Sequence, residues 1–344
     1  MPIGGLGPVV KAIYNLLSGT TNPDVVALYN NLYLQLEGVK MGSSSKQFAR
    51  NQVGKVYFVN GGADGVTTGN NAANDGLTPA NAFLTITYAL TQCVAGRNDY
   101  IYCFNVYNQE PAYPIVVNVS HVHIIGAGNP DGHQALMVPV GNTAVFEIPL
   151  VGGGITGIEI AGFNIGGGAA HGCIEVDGAA YGLWIHNCSF GHAYAGGGQD
   201  GIWYIANSCC QSNIVEDCWF WGNLDGQGLL TQFGITAPAA TAHLRQCTIR
   251  NNYFSKLPNG AISLLGDVDN CVIAHNLIGV GTDALGDGID IGAFATGNLI
   301  AHNSAMRGRA AAASTQNPFQ DIGVANNDND WVCNQHNITM VEPA

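Results

Sequence analysis

Charge is scarce in this chain. Asp, Glu, Lys and Arg together make up 10% of the residues, and Lys and Arg number 11 against 24 Asp and Glu, for a formal net charge of -13. So few cations form no basic stripe that could displace counterions from a phosphate backbone, which excludes nucleic-acid binding. The same scarcity excludes the highly charged disordered class. Long apolar runs are missing too: no segment reaches the roughly 20 residues of a membrane-spanning helix, so no membrane insertion is expected. The first residues carry no basic cluster, and their apolar part is broken by Lys11 and Asn15, which is not the pattern of a secretion signal. The ten Cys include no Cys-x-x-Cys pair and no Cys/His clustering at zinc spacing, so no metal and no cofactor is expected. Cys173, Cys188, Cys218, Cys247 and Cys271 stand beside apolar stretches and read as small buried hydrophobes of a protein that folds in a reducing cytosol.

What the chain has is glycine, 47 residues of it, and a repeat. A six-residue box of the form apolar, any, polar, any, any, apolar is clearest at residues 249–254 (Ile-Arg-Asn-Asn-Tyr-Phe). It recurs with first members Ile158, Ile185, Val215, Ile249, Ile273 and Ile300, at intervals of 27, 30, 34, 24 and 27 residues. The sixth members are Phe163, Phe190, Phe220, Phe254, Ile278 and Ala305. Such a period marks a solenoid, whose units bury an apolar face only by stacking on their neighbours. Each box is too short for a helix and rich in β-branched and aromatic residues, so it reads as a strand ending in a polar bend. A second strand is expected after each box, at 173–176, 202–205, 229–231, 262–264 and 289–291. Asn187, Asp217 and Asn251 at equivalent bends are expected to form a polar ladder.

Two or three short strands per coil, with no helix between, describe an all-β solenoid, a parallel β-helix, and the resemblance given next implies that it is right-handed and single-stranded. On these boxes the chain resembles the pectate-lyase-like superfamily of right-handed parallel β-helices, which includes many bacteriophage tailspikes and other virion proteins. The resemblance spans about residues 55–340. Residues 74–90 look like the opening of many phage and bacterial members, where a short helix, here expected at 83–93, covers the first coil. The expected organisation is a helical anchor at 1–50 and a β-helix at 51–344, with a cap at 51–100, coils at 101–309 and a C-terminal cap and tail at 310–344. In the anchor, Asn22 and Pro23 punctuate the start of a helix and Gly38 its end. Its residues Val25, Tyr29, Leu32 and Leu36 are spaced as a coiled-coil seam. That seam either packs on its own β-helix or serves oligomerisation or docking.

Two columns of outward residues carry the candidate chemistry. The second box position reads Glu159, His186, Glu216, Arg250, Ala274, Ala301. Glu159 and Glu216 two rungs apart, with His186 between them, form either a water-activating glycosidase-like site or an ion ladder of little consequence. The second strands present Glu175, Trp203, Thr231, Ser263 and Asp290, where Trp203 and Tyr204 either stack on a sugar face or pack at a subunit interface. The adjacent Asp pair of polygalacturonase-like enzymes is lacking, and no Lys or Arg stands in a lyase motif. The resemblance therefore implies a bacteriophage virion surface protein, a tailspike, fibre-like adhesin or capsid decoration. Such a protein would be homotrimeric, assembled in the host cytoplasm, joined to other virion proteins through residues 1–50 and able to bind host surface polysaccharide. The alternative is a polysaccharide hydrolase or lyase acting on bacterial surface glycan, or an extracellular adhesin; the residues favour a protein that is not an enzyme.

Overall fold

A computed structural model describes residues 54–61, 69–104, 110–126, 135–137, 139, 141–168, 170–191, 200–205, 207–222, 230–279, 287–306, 319–321 and 329–337. The helical anchor at 1–50, with Val25, Tyr29, Leu32 and Leu36, lies outside the described residues.

One coil shows how the chain is wound. Glu159–Ala161 belongs to a first sheet, Phe163–Ile165 to a second, Ile174–Val176 to a third and Ala180–Tyr181 to a fourth. Trp184–His186 then returns to pair in parallel with Glu159–Ala161, one coil on. Repetition builds sheets of ten, eight, eight and five strands, and every strand pairing among the described residues is parallel. The protein is an all-β solenoid, a parallel β-helix with four strands per full coil rather than two or three. The fourth strand escapes sequence reading because it is only two or three residues long, as at Ala180–Tyr181 and His243–Arg245.

The six-residue box is two strands and a corner. In Thr248–Arg250 and Tyr253–Ser255 the chain passes from first to second sheet through Asn251, whose φ of 56° is left-handed. Asn187, Asp217, His275 and His302 take the same conformation at the equivalent corners. Asn and Asp tolerate it because their short polar side chains bond locally. These corner residues are not the expected ladder; the ladder is formed by the residues that follow them. Asn252, Asn276 and Asn303 are buried, and each donates its Nδ2 to the preceding coil, to Val215 O at 3.0 Å, Ile249 O at 3.0 Å and Ile273 O at 2.9 Å. Their Oδ1 atoms accept the backbone N–H of Cys218, Asn252 and Asn276 in turn. Cys188 and Cys218 hold the same position lower down, with their thiols donating to Ile160 O and Ile185 O. A second ladder runs where the fourth sheet meets the first, through Cys271 and Asn298.

Two expectations of register fail. Ile185 pairs with Ile160, not with Ile158, so the first box begins at Ile160 and its corner is Gly162, with φ 75°. Ile158 and Ile160 are both buried. A slip of two residues keeps every side chain on its own face, so alternation alone does not choose between them. The strand expected at 229–231 lies instead at Phe233–Ala237, and Leu230 forms only an isolated bridge to Gly222.

The core is a set of stacked columns. Phe190, Phe220 and Phe254 lie face to face at 4.6 and 4.7 Å. At the N-terminal end the helix Ile86–Gln92 buries Ile86, Ala89 and Leu90 and is capped by Thr85. The Glu110 carboxylate accepts the Ile86 and Thr87 N–H groups.

Candidate functional site

The outward face of the first sheet gathers the residues expected to be reactive, in an arrangement different from the expected column. His186, Glu216, Arg250, Ala274 and Ala301 do share a column, but its earlier member is Ala161. Glu159 stands in the neighbouring column, between His123 and Trp184. Ala161, below His186, leaves room for that imidazole to lean across. The Glu159 carboxylate is bound on both oxygens, by His186 Nε2 at 2.7 Å and His123 Nδ1 at 2.5 Å. Trp184 stacks on His186 at 4.0 Å and donates its Nε1 to Glu216 Oε1 at 2.8 Å, while Arg250 Nε holds Glu216 Oε2 at 2.6 Å. Tyr100 closes the other end by stacking on His123 at 4.2 Å.

The three expected catalytic residues are thus neighbours, and they are mutually satisfied. Burial raises the Glu159 pKa, but the bonds from His123 and His186 outweigh it and bring the carboxyl down to about 2. A carboxylate of that acidity has no proton to give near neutral pH and is a poor base toward water. Both oxygens of Glu216 are equally engaged. The face is a closed ladder of ion pairs and stacked rings.

The third sheet differs. Its outward column reads Val116, Glu147, Glu175, Trp203, Thr236, Ser263, Asp290, in continuous register. Glu175, Trp203, Ser263 and Asp290 stand where the sequence places them; Thr236 takes the place expected for Thr231. Tyr204 does not face outward. It is 1% exposed and points into the core between coils, because residues on either side of Trp203 alternate inward, and burial pushes its hydroxyl pKa up. Trp203 therefore has no aromatic partner from Tyr204 with which to hold a sugar.

Several groups on this face are buried without being satisfied. Trp203 Nε1 and Thr236 Oγ1 lie on adjacent rungs, screened from solvent and without a hydrogen-bond partner among the described residues. Glu175 is held at one oxygen, Oε1, by the Gly172 N–H at 3.1 Å and His171 Nδ1 at 2.9 Å. A Cβ on Gly172 would fall 2.9 Å from the Trp203 Cβ, so a residue without a side chain is needed there. Asp200, 3% exposed, accepts the Phe233 N–H, yet burial and then the nearby Glu175 charge push its carboxyl up to about 6. Burial, followed by the charges of Asp177 and Glu175, also raises Glu147.

Sequence reasoning missed Glu147, His171, Asp200 and Thr236. The first was within reach, since Phe146-Glu147-Ile148 has the same apolar, Glu, apolar pattern as Ile174-Glu175-Val176. Asp200 reads only as half of an Asp-Gly turn. In Trp219–Trp221, Phe220 enters the core and Trp219 lies 45% exposed on the second sheet, against Trp221 and Tyr253.

By fold the protein is a parallel β-helix with one closed and one unsatisfied outward face. No protein-family model and no curated protein matches the chain. Among solved structures it is similar to pectate lyase Pel9A, at 14% identity and a TM-score of 0.44 over 81% of this chain and 79% of that one. It is also similar to a GH136 lacto-N-biosidase from Eubacterium ramulus, at 12% identity and a TM-score of 0.37 over 92% of this chain and 72% of that one.

Proposed function

We propose that this protein is a non-catalytic glycan-binding β-helix of a bacteriophage virion surface, which holds host polysaccharide along the outward face of its third sheet. The observation that carries the reading is the contrast between faces. The carboxylates of the first sheet are held by the imidazoles of His123 and His186, the indole of Trp184 and the guanidinium of Arg250, whereas Trp203 and Thr236 carry polar atoms with no partner among the described residues. A buried polar group left unpaired is costly, and a ligand that turned the half-exposed Trp203 ring so that Nε1 met a hydroxyl would relieve that cost. Rungs about 4.8 Å apart, close to the length of one sugar ring, let consecutive sugars meet consecutive side chains. Trp203 supplies apolar area with a polar edge, as sugar recognition needs. The virion setting, a homotrimeric assembly and docking to other virion proteins through residues 1–50 are part of the same proposal and rest on the sequence resemblance.

The test is a panel of bacterial surface polysaccharides incubated with the protein, read for binding and for chain length. Binding with the polysaccharide recovered at its starting length supports the proposal. Shortened chains, with activity lost in Glu159→Gln or Glu216→Gln, would overturn it in favour of an enzyme working at the first sheet.

One observation favours a second reading, a hydrolase or lyase using the third sheet. Asp200, with its raised pKa, lies near Glu175, and a carboxyl group that keeps its proton toward neutral pH is what general-acid chemistry on a glycosidic bond requires. Shortened chains whose production is lost in Asp200→Asn and kept in Glu159→Gln would establish it.

A further inference from the structure

The outward face of the fourth sheet carries a cluster that the glycan reading does not use, and it lies open to solvent. Its strands Cys209–Gln211, His243–Arg245 and Asp267–Asp269 pair in parallel on successive coils. Cys210, Leu244 and Val268 point inward and are buried, so alternation turns the first residue of each strand outward. Cys209, His243 and Asp267 therefore stand in one column, in that order, on rungs roughly 4.8 Å apart. The backbone pins these rungs: the His243 N–H donates to Ser208 O and the Asp267 N–H to Ala242 O, each at 2.8 Å.

His243 Nδ1 lies 2.6 Å from Asp267 Oδ2. An ionised carboxylate only accepts, so Nδ1 carries the proton and Nε2 is left as the basic nitrogen. Arg245 approaches the same Asp267 oxygen at 3.7 Å and Asp269 at 3.5 Å, and these two residues, with Tyr181 on the coil below, are the other titratable or charged groups around the column. The His243 and Asp267 side chains are 39% and 28% exposed, and Cys209 is a half-buried free thiol. A free thiol is only slightly ionised at neutral pH, and what activates it is a base within reach that a third group orients. The column supplies all three groups.

We infer that Cys209 is the nucleophile of a thiol-exchange site, with His243 as its base and Asp267 as the residue that positions the imidazole, and that its substrate is a small disulfide such as oxidised glutathione. The thiol proton passes to His243 Nε2 as the Cys209 sulfur attacks one sulfur of the disulfide. The new sulfur–sulfur bond forms as the old one breaks, and the leaving thiolate takes the proton from the imidazolium and departs as a thiol. The chain is left with a mixed disulfide on Cys209, and the small disulfide is the oxidant. None of this depends on the glycan reading of the third sheet.

The test exposes the folded full chain to oxidised glutathione and follows the modification of each cysteine by peptide mass mapping. Cys333 is the internal comparison, because it is exposed and has His302 on the rung below, but that ring stacks on His275 at 5.1 Å and is bonded to no carboxylate among the described residues. At pH 7 Cys209 should be modified about tenfold or more faster than Cys333. His243→Gln removes the base, and Asp267→Asn offers Nδ1 a donor that moves the ring proton to Nε2, so each should slow Cys209 by about tenfold. At pH 10, where thiols ionise without help, both variants should match the wild type. Cys209 modified no faster than Cys333, or as fast in either variant as in the wild type at pH 7, would overturn the inference. A slowing that persists at pH 10 would also overturn it, since the substitution would then have disturbed the sheet rather than removed a base.

Discussion

Two buried carboxyl groups give this protein opposite responses to acid. Glu159 has a folded pKa of about 2 against an ordinary value of 4.5. Its depressed value means that it stabilises the fold fully above the unfolded pKa, and that this contribution is lost as pH falls from about 4.5 toward 2. The contribution is about 3 kcal/mol. Acid titration of the wild type should show that loss, and Glu159→Gln, less stable at neutral pH, should show a flatter curve over the same window. Asp200 runs the other way. Its folded pKa of about 6 lies above the ordinary 3.8, so the folded state favours the protonated form below 3.8 and loses that advantage as pH rises through 6. Asp200→Asn keeps an acceptor for the Phe233 N–H and removes the buried charge. It should raise the melting temperature above pH 6, by the equivalent of roughly 2–3 kcal/mol, and change little at pH 4. A variant less stable than wild type at pH 8 would show that Asp200 is held by a partner stronger than its burial.

At the scale of elements, the corner ladders carry the coil-to-coil pairing. Asn276 donates to Ile249 O and Asn303 Oδ1 and accepts from Asn252, so Asn276→Ala leaves several buried groups unpaired. Each costs about 1–3 kcal/mol, and chemical denaturation should show the sum. The cysteines act in this ladder as short substitutes for Asn. Cys218→Asn should therefore preserve or raise stability, since its amide would meet Ile185 O and Asn252 Oδ1, whereas Cys218→Val should lower it. Equal melting of both variants would contradict the ladder. The ladder was only half legible in the sequence. Asn187, Asp217 and Asn251 announce the corners, because polar residues at regular intervals in an apolar chain need a reason. That the ladder sits one residue later follows from the left-handed turn, which swings the next side chain inward, and Cys188 and Cys218 hide it by differing in type from Asn252. The strands were legible wherever an inward Ile or Phe recurs. They were not where a two-residue slip is neutral, at Ile158 and Ile160, or where a stray apolar residue, Leu230, imitates a strand. Of the candidate site, the column Glu175, Trp203, Ser263 and Asp290 could be read from alternation alone. The closure of Glu159 and Glu216 was legible in part, as the ion ladder with His186 and Arg250, but the shares of His123 and Trp184 were not, because those residues stand outside the box column.

For the whole molecule, stability comes from each coil resting on the next, and a solenoid of this kind grows in one dimension without needing a larger single core. Its assembly is a separate question, addressed by light scattering on the full chain and on a shortened chain beginning at Lys55. The proposal expects a trimer for the full chain; a monomer at all concentrations would remove the homotrimer from it. The central claim concerns where the molecule meets its ligand, and one titration addresses it most directly. A polysaccharide that binds the wild type is titrated into Trp203→Ala and Glu159→Gln. Trp203→Ala should lose about tenfold or more in affinity, and Glu159→Gln should bind as the wild type does. Affinity lost in Glu159→Gln and kept in Trp203→Ala would place the ligand on the first sheet and contradict the account.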